Sequence, residues 1–222
     1  NNRSSLAVNI GFNEGIPILK SITRKTIRVS KNMIYDEADF LILSQTKNIM
    51  HDLLKIAKKL ANIYYKPIEK ELNDSHEIVE LLMITTNHLI GKYLAENLND
   101  ALYRVCIGTE NGAFYSPLPL IHDKLKINNY CHFTSPIRRC ADHITHKMVL
   151  RLIGFDIELL KVDLEDYNSH TTKVKQINNK AKHIYIANNI IDGNVYDCKL
   201  LKIDEKTITW HIIKMNYSFT CS

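Results

Sequence analysis

Apolar residues change their spacing twice along these 222 residues, and that change limits the fold more than any other feature. Leu6, Val8 and Ile10 alternate, Asn13-Glu14-Gly15 supplies turn chemistry, and Ile18 to Val29 resumes an extended pattern through Ile22 and Ile27. That order predicts a β-hairpin. From Asp36 the spacing becomes three and four, through Phe40, Leu41, Ile42, Ile49, Leu53, Ile56, Leu60 and Ile63, until Pro67 interrupts it. This is amphipathic helix. A long helix is predicted over 76–98, with Asp74 or Ser75 as cap and Val79, Leu82, Met83, Thr86, Ile90, Tyr93 and Leu94 facing the core. Residues 108–129, with Pro117 and Pro119, read as loop. Helices are expected from Ser135 to about Ile153 and from Asp163 to Asn188. After Gly193, Val195, Cys198, Leu200 and Ile203, then Ile208, Trp210 and Ile212, return to strands around a turn at Asp204-Glu205-Lys206. Strands, then helices, then strands describe an α+β body followed by a small β-domain.

Composition narrows the function classes. A 45% apolar chain of this length can build one substantial core, or one core plus a small appendage, and is not a disordered tail. Twenty-nine Lys and Arg against 24 Asp and Glu leave +5, compatible with an anionic partner or with an ordinary solvated surface. The five cysteines form no Cys-x-x-Cys pair and have no histidines at zinc-ligand spacing. Their odd, scattered number fits a reducing compartment, so a cytoplasmic or nuclear location is expected. No apolar run is long enough to span a bilayer, and the polar start is not a signal peptide, so no membrane partner is expected. The absence of an initiator Met suggests a start inside a longer chain.

The chemistry concentrates in Tyr130-Cys131-His132-Phe133-Thr134-Ser135-Pro136-Ile137-Arg138-Arg139-Cys140-Ala141-Asp142-His143-Ile144-Thr145-His146. Ser135 as N-cap and Pro136 as first residue would open a helix, because the serine oxygen accepts an orphan amide and proline has none to lose. Ile137, Ala141, Ile144, Met148 and Leu152 would form its apolar stripe, with Arg138, Asp142 and His146 along a polar flank. Hydroxyls at 134 and 135 and guanidiniums at 138 and 139 suit a phosphate at the helix N-terminus. The same residues also describe a capped helix with an Arg–Asp pair four apart. Both readings stand at this point.

The run HFTSPIRRCADHITH resembles the HFTSPIRRYADLIVHR signature of the RNase II and RNase R (RNB) family of 3′-to-5′ exoribonucleases. Cys140 replaces an aromatic. Ile27-Arg28 with Met33-Ile34-Tyr35 resembles that family's SVIRSKARLTY segment, Val79-Glu80 with Met83 and Asn87 its VEEFMLLAN, and Ala101-Leu102-Tyr103-Arg104-Val105 its ALLRVH. The resemblance runs from about Arg3 to Asn188 and implies the later part of an RNB catalytic domain over 1–190. Residues 191–222 resemble the start of an S1-like RNA-binding β-barrel.

The resemblance implies hydrolytic, magnesium-dependent removal of nucleoside monophosphates from the 3′ end of single-stranded RNA. It gives Arg138 the catalytic role, stabilising charge on the scissile phosphate. It gives Tyr35 and Glu80 contacts to the ribose, where a carboxylate can favour RNA over DNA by accepting from a 2′-hydroxyl. Their bland readings are a half-buried tyrosine and a solvated helical glutamate. Tyr130, His132, Thr134 and Ser135 join the RNA-binding set as channel wall and helix start, and Arg139 as either a phosphate-positioning or a structural arginine. Asp142 is expected to orient an arginine, and His146 to be a structural hydrogen-bonding partner. The acidic run Asp36-Glu37-Ala38-Asp39 reads as a helix first turn, not as ligands. The family's magnesium-binding aspartate block has no counterpart here and is expected upstream of Asn1, so these residues alone are expected to be inactive. The connections from Tyr65 to Ser75 and from Val105 to His132 are short for the family. A second reading is a catalytically inactive RNB-like module that binds single-stranded RNA or acts as a scaffold; no protein partner is indicated.

Overall fold

The computed structural model describes residues 2–108, 112–190, 194–203, 207–215 and 217–221. They divide into two compact units, Asn1–Leu164 and Glu165–Ser222. The first opens on a long antiparallel hairpin, β1 (Asn2–Asn13) and β2 (Ile16–Arg28), with a register shift at Asn9/Ile10. Glu14 and Gly15 close it with φ of 49° and 83°. Two successive positive φ values match the right-handed twist of the flanking strands, and the glycine takes its conformation at no steric cost.

The expected helical stretch after the hairpin is two helices, α1 (Tyr35–Leu43) and α2 (Ile49–Tyr64). Asn48 makes the break. Its side chain accepts from the Met50 amide at 2.9 Å and donates to Leu41 O at 2.8 Å, so one amide caps α2 and ties off α1. Pro67 falls in a single 3₁₀ turn, Lys66–Ile68, followed by Glu69 in the left-handed region (φ 54°). The long helix α3 (Ser75–Asn97) has Asp74 as N-cap and Glu77 reaching back to it, a reciprocal capping box.

α3 joins two cores. Its first half packs Ile78, Leu81 and Ile84 against Met50, Ala57, Leu60, Tyr64 and Tyr65. Its second half packs Ile90 and Leu94 against Ala101, Tyr103, Val105, Cys131, Phe133 and Val149, with Leu6, Val8 and Ile22 of the hairpin alongside. The buried stripe is therefore shifted from the one expected: Val79 is exposed, whereas Ile78 and Leu81 are sealed. A helix apolar on most of its circumference does not fix its own phase, and here α2 and the loop before α4 choose it.

Residues 108–129 are not all loop. β4 (Phe114–Ser116) pairs antiparallel with β3 (Tyr103–Val105), setting Arg104 opposite Tyr115. The larger correction is the helix expected from Ser135. It begins five residues later, as α4 (Cys140–Leu152), and Ile137 lies 96% exposed instead of in the apolar stripe. Ser135 O accepts from the amides of Arg138 (3.2 Å) and Arg139 (3.1 Å), a turn in which Pro136 occupies the position that suits its fixed φ. The cause is Asp142. Its buried carboxylate takes the Ser135 amide at 2.7 Å and the Arg139 guanidinium at 2.8 Å, pulling 135–139 back over the first turn of α4.

The second unit contains α5 (Leu164–Asn189, beginning at the boundary) and a three-stranded antiparallel sheet of β5 (Cys198–Ile203), β6 (Ile208–Ile212) and β7 (Tyr217–Cys221). The expected turn at 204–206 and the Gly193 boundary lie outside the described residues. Cys106, Cys131, Cys140 and Cys198 are not joined in disulfides. Among the described residues, no helix is long and apolar enough to cross a membrane.

Candidate nucleic-acid interface

Asn87 is where the two cores meet and where the site is built. A buried asparagine in an apolar helix must find partners for its amide. Its Oδ1 accepts from the backbone amides of Phe133 (3.0 Å) and Thr134 (3.2 Å), and its Nδ2 donates to the Tyr130 hydroxyl at 3.0 Å. The Asn87 carbonyl accepts from the Cys131 thiol at 3.2 Å. One residue thus holds the whole 130–134 strand of chain against α3. Gly91, one turn on, makes the close approach possible: a β-carbon there would stand 1.7 Å from Asn129 O.

Around this anchored segment rings and guanidiniums gather. The Arg104 guanidinium lies 4.6 Å over the Tyr115 ring. The Tyr115 hydroxyl is 2.8 Å from His132 Nδ1, and the Tyr130 ring meets both His122 and His132 edge-on. Burial first, and then the charges of Arg139 and Arg104, push His132 down to about 3. The ring is neutral at physiological pH, so Nδ1 can accept the phenolic proton. Burial raises the Tyr130 phenol and lowers His122 and His146.

The two adjacent arginines separate in role. Arg139 is 23% exposed and forms a two-pronged ion pair with wholly buried Asp142, Nε–Oδ2 2.6 Å and Nη2–Oδ1 2.8 Å. Asp142 therefore orients Arg139, three residues away, not Arg138. Arg138 is exposed at the tip of the turn, and its side chain makes no hydrogen bond or ion pair among the described residues. The amides do not form the expected helix-terminal phosphate cradle: Pro136 has none, and those of 138 and 139 are spent on Ser135 O. His146 accepts the structural role expected of it, with Nε2 2.8 Å from Phe133 O and its ring 4.2 Å from that of Phe133. The Thr134 hydroxyl oxygen and His122 Nδ1 are buried without a hydrogen-bond partner among the described residues.

Tyr35 and Glu80 form a second group. Tyr35, at the start of α1, stacks on His76 in the first turn of α3, centroids 3.5 Å apart and planes at 17°. Glu80, one turn further, pairs with Lys70. Glu80 and Asn87 are seven residues apart on one helix, hence on one face and about 10 Å apart along the axis. α3 is thus the ruler that aligns the Tyr35–Glu80 group with the 130–139 segment. Glu37 Oε2 receives the Ile34 amide and Asp39 Oδ1 the Ser75 amide, so the acidic run at 36–39 caps helices, as expected. Among the described residues no group of three or more His, Cys, Asp or Glu could hold a metal ion. The described residues do not fit a magnesium site.

Sequence reasoning passed over Arg104, Tyr115 and the anchoring role of Asn87. An asparagine at a core position of α3 was the available signal, because such a residue is kept only with partners for both ends of its amide. Two neutral histidines held by burial also make a prediction. His88, with Nδ1 3.0 Å from the Tyr64 hydroxyl, is pushed down to about 4 by burial and then by Lys92. Both His88 and His132 have native pKa values below the unfolded one, so the unfolded chain binds more protons between them. Stability should be full above about pH 6.5 and fall as pH drops towards 5, by up to about 1.4 kcal/mol per pH unit for each histidine. Urea midpoints at pH 7.5, 6 and 5 would measure this, and His88→Gln should flatten the slope; equal midpoints would contradict the neutral buried state.

This α+β body is similar in fold to solved exoribonucleases, and one segment matches a family model. Residues 107–154 match the RNB domain. Ribonuclease R of Mycoplasma genitalium is 29% identical over 137 residues, covering 50% of this chain and 19% of the relative. An active-site mutant of the Dss1 exoribonuclease from Candida glabrata superposes with a TM-score of 0.66 at 16% identity, over 99% of this chain and 38% of that one. Mycoplasma genitalium RNase R, solved in complex with ribose-methylated single-stranded RNA, gives 0.62 at 18% identity, over 98% of this chain and 49% of that one. At these identities the structural matches establish the fold. The match over residues 107–154 and the Ribonuclease R relative carry the resemblance to the RNB family, and the chain spans about a fifth of the RNase R sequence and less than half of either solved chain.

Proposed function

We propose that this chain is the RNA-end-holding part of an exoribonuclease of the RNase II and RNase R type, one that degrades single-stranded RNA hydrolytically from the 3′ end with magnesium. The observation that carries this reading is Arg138: an exposed guanidinium with no partner among the described residues, on a turn pinned by Asn87 before it and Asp142 after it. The backbone that carries the guanidinium is held in advance, and the guanidinium gives up no protein partner when a phosphate arrives. Arg104 and Arg139 add positive charge beside His132, and Tyr115, Tyr130 and His132 line the same neighbourhood. Tyr35 and Glu80, aligned by α3, are the ribose contacts, and β5–β7 are the opening of an S1-like barrel. The metal ligands are supplied by sequence other than these residues, and a cytoplasmic or nuclear compartment keeps the thiols reduced.

The test uses the chain as it stands. It should bind a fluorescent single-stranded RNA, with affinity falling as salt rises through counterion release, and release no nucleoside monophosphate at any magnesium concentration. Joined to a segment bearing closely spaced aspartates, it should release mononucleotides from the 3′ end. RNA binding that is absent or insensitive to salt would remove the nucleic-acid reading. Metal-dependent cleavage by these residues alone, abolished by Arg138→Ala, would show the catalytic site to be misplaced. Binding without cleavage in the aspartate-bearing protein would favour the scaffold alternative.

A further inference from the structure

The connection between α2 and α3 is short, and it closes on itself. The amides of Ile68 and Lys70 both donate to Tyr65 O, at 3.0 and 3.1 Å, and Glu69 takes the left-handed conformation that lets the chain double back. The turn delivers one side chain to one place: Lys70 Nζ sits 4.7 Å over the ring of wholly buried Tyr65 and pairs with Glu80 Oε2. Tyr65 is itself fixed, its hydroxyl donating to Glu77 O at 3.3 Å. Lysine and glutamate are each about one-third exposed at the side chain, 35% and 37%, so the pair is open to a ligand.

We infer that Lys70 is a positioning residue for ribose recognition, holding the Glu80 carboxylate and offsetting its charge so that it can accept from a 2′-hydroxyl beside anionic phosphates. This rests on the reading of Glu80 as a ribose contact. A lone carboxylate next to an RNA backbone repels it. A carboxylate already paired on one oxygen keeps acceptor capacity on the other while presenting less net charge. Cation–π contact with Tyr65 and the doubled-back turn confine the ammonium, so the carboxylate it binds is confined as well. The arrangement places specificity in Lys70 although Lys70 need not touch the RNA.

The experiment compares affinities of the full chain for 5′-fluorescein-labelled single-stranded RNA and for DNA of the same sequence, and reads their ratio. A change in overall charge moves both affinities, whereas loss of carboxylate placement moves the ratio. Lys70→Met should lower the RNA-over-DNA ratio about five-fold, the scale of one charge-assisted contact, and Lys70→Arg should restore most of it. Adding Lys70→Met to Glu80→Gln should cause no further loss, because the two act through one group. Circular dichroism of each variant checks folding, and Lys70→Gln provides a second neutral variant if methionine disturbs the turn. If Glu80→Gln abolishes the preference but neither neutral Lys70 variant lowers it, the Lys70 inference is overturned and the ribose reading stands. If Glu80→Gln leaves the preference intact, the ribose reading fails and the Lys70 inference falls with it.

Discussion

Gly91→Ala should destabilise the first unit by about 3–5 kcal/mol, a large share of the roughly 5–15 kcal/mol that keeps a domain folded. The added carbon would lie 1.7 Å from Asn129 O, 2.7 Å from Asn129 C and 3.3 Å from Cys131 N. All three are backbone atoms, so no rotamer change relieves the clash and α3 must part from the 129–131 segment. That separation would draw Phe133 and Thr134 off Asn87 Oδ1 and open both cores at their junction. Gly15→Ala is the matched control: its β-carbon meets nothing within 4 Å, and only its φ of 83° is unfavourable. Its cost should be near 1 kcal/mol. Urea unfolding of both variants measures the difference. Equal midpoints would mean that α3 and the 129–131 segment are not held in contact, and the site built on that contact would have to be abandoned.

The hairpin, α2, α3 and α5 were legible because each carries one strong local signal. Gly15 after Glu14 marks the turn, and Asp74 with Glu77 marks the start of α3. Where a distant group competes with local chemistry, the local reading failed. Ser135-Pro136 is a sound helix opening in isolation, but Asp142, seven residues later and fully buried, captures the Ser135 amide and delays the helix to Cys140. Local propensity is worth fractions of a kcal/mol per residue, and a buried carboxylate left without donors costs more. The phase of α3 is not fixed by its sequence for a related reason: the helix is apolar on most sides, and its neighbours decide which side is sealed. β4 was invisible because three residues carry no period. The site residues came from a motif, whereas what holds them, Asn87 to the 130–134 segment and Lys70 to Glu80, is tertiary and has no spacing to read.

Arg138→Ala, assayed in an aspartate-bearing form that releases nucleotides from RNA, should lower turnover by about 10²- to 10³-fold, with RNA affinity changed little. The two adjacent arginines differ in what they hold. Arg139 is committed to Asp142 through two contacts, so its removal would strand a buried carboxylate and disturb the turn. Arg138 has no such commitment among the described residues, and its loss should leave the fold and the Arg139–Asp142 pair in place. A contact made chiefly as charge accumulates on phosphate lowers kcat and kcat/KM together, whereas one made equally to bound RNA raises KM alone. Arg138→Lys should recover only part of the rate, because an ammonium supplies charge without the planar fork that engages two phosphate oxygens. A raised KM with kcat unchanged would make Arg138 an RNA-holding residue and move the charge-stabilising role elsewhere. The nearest group to test would then be Arg104, stacked over Tyr115 beside the same His132.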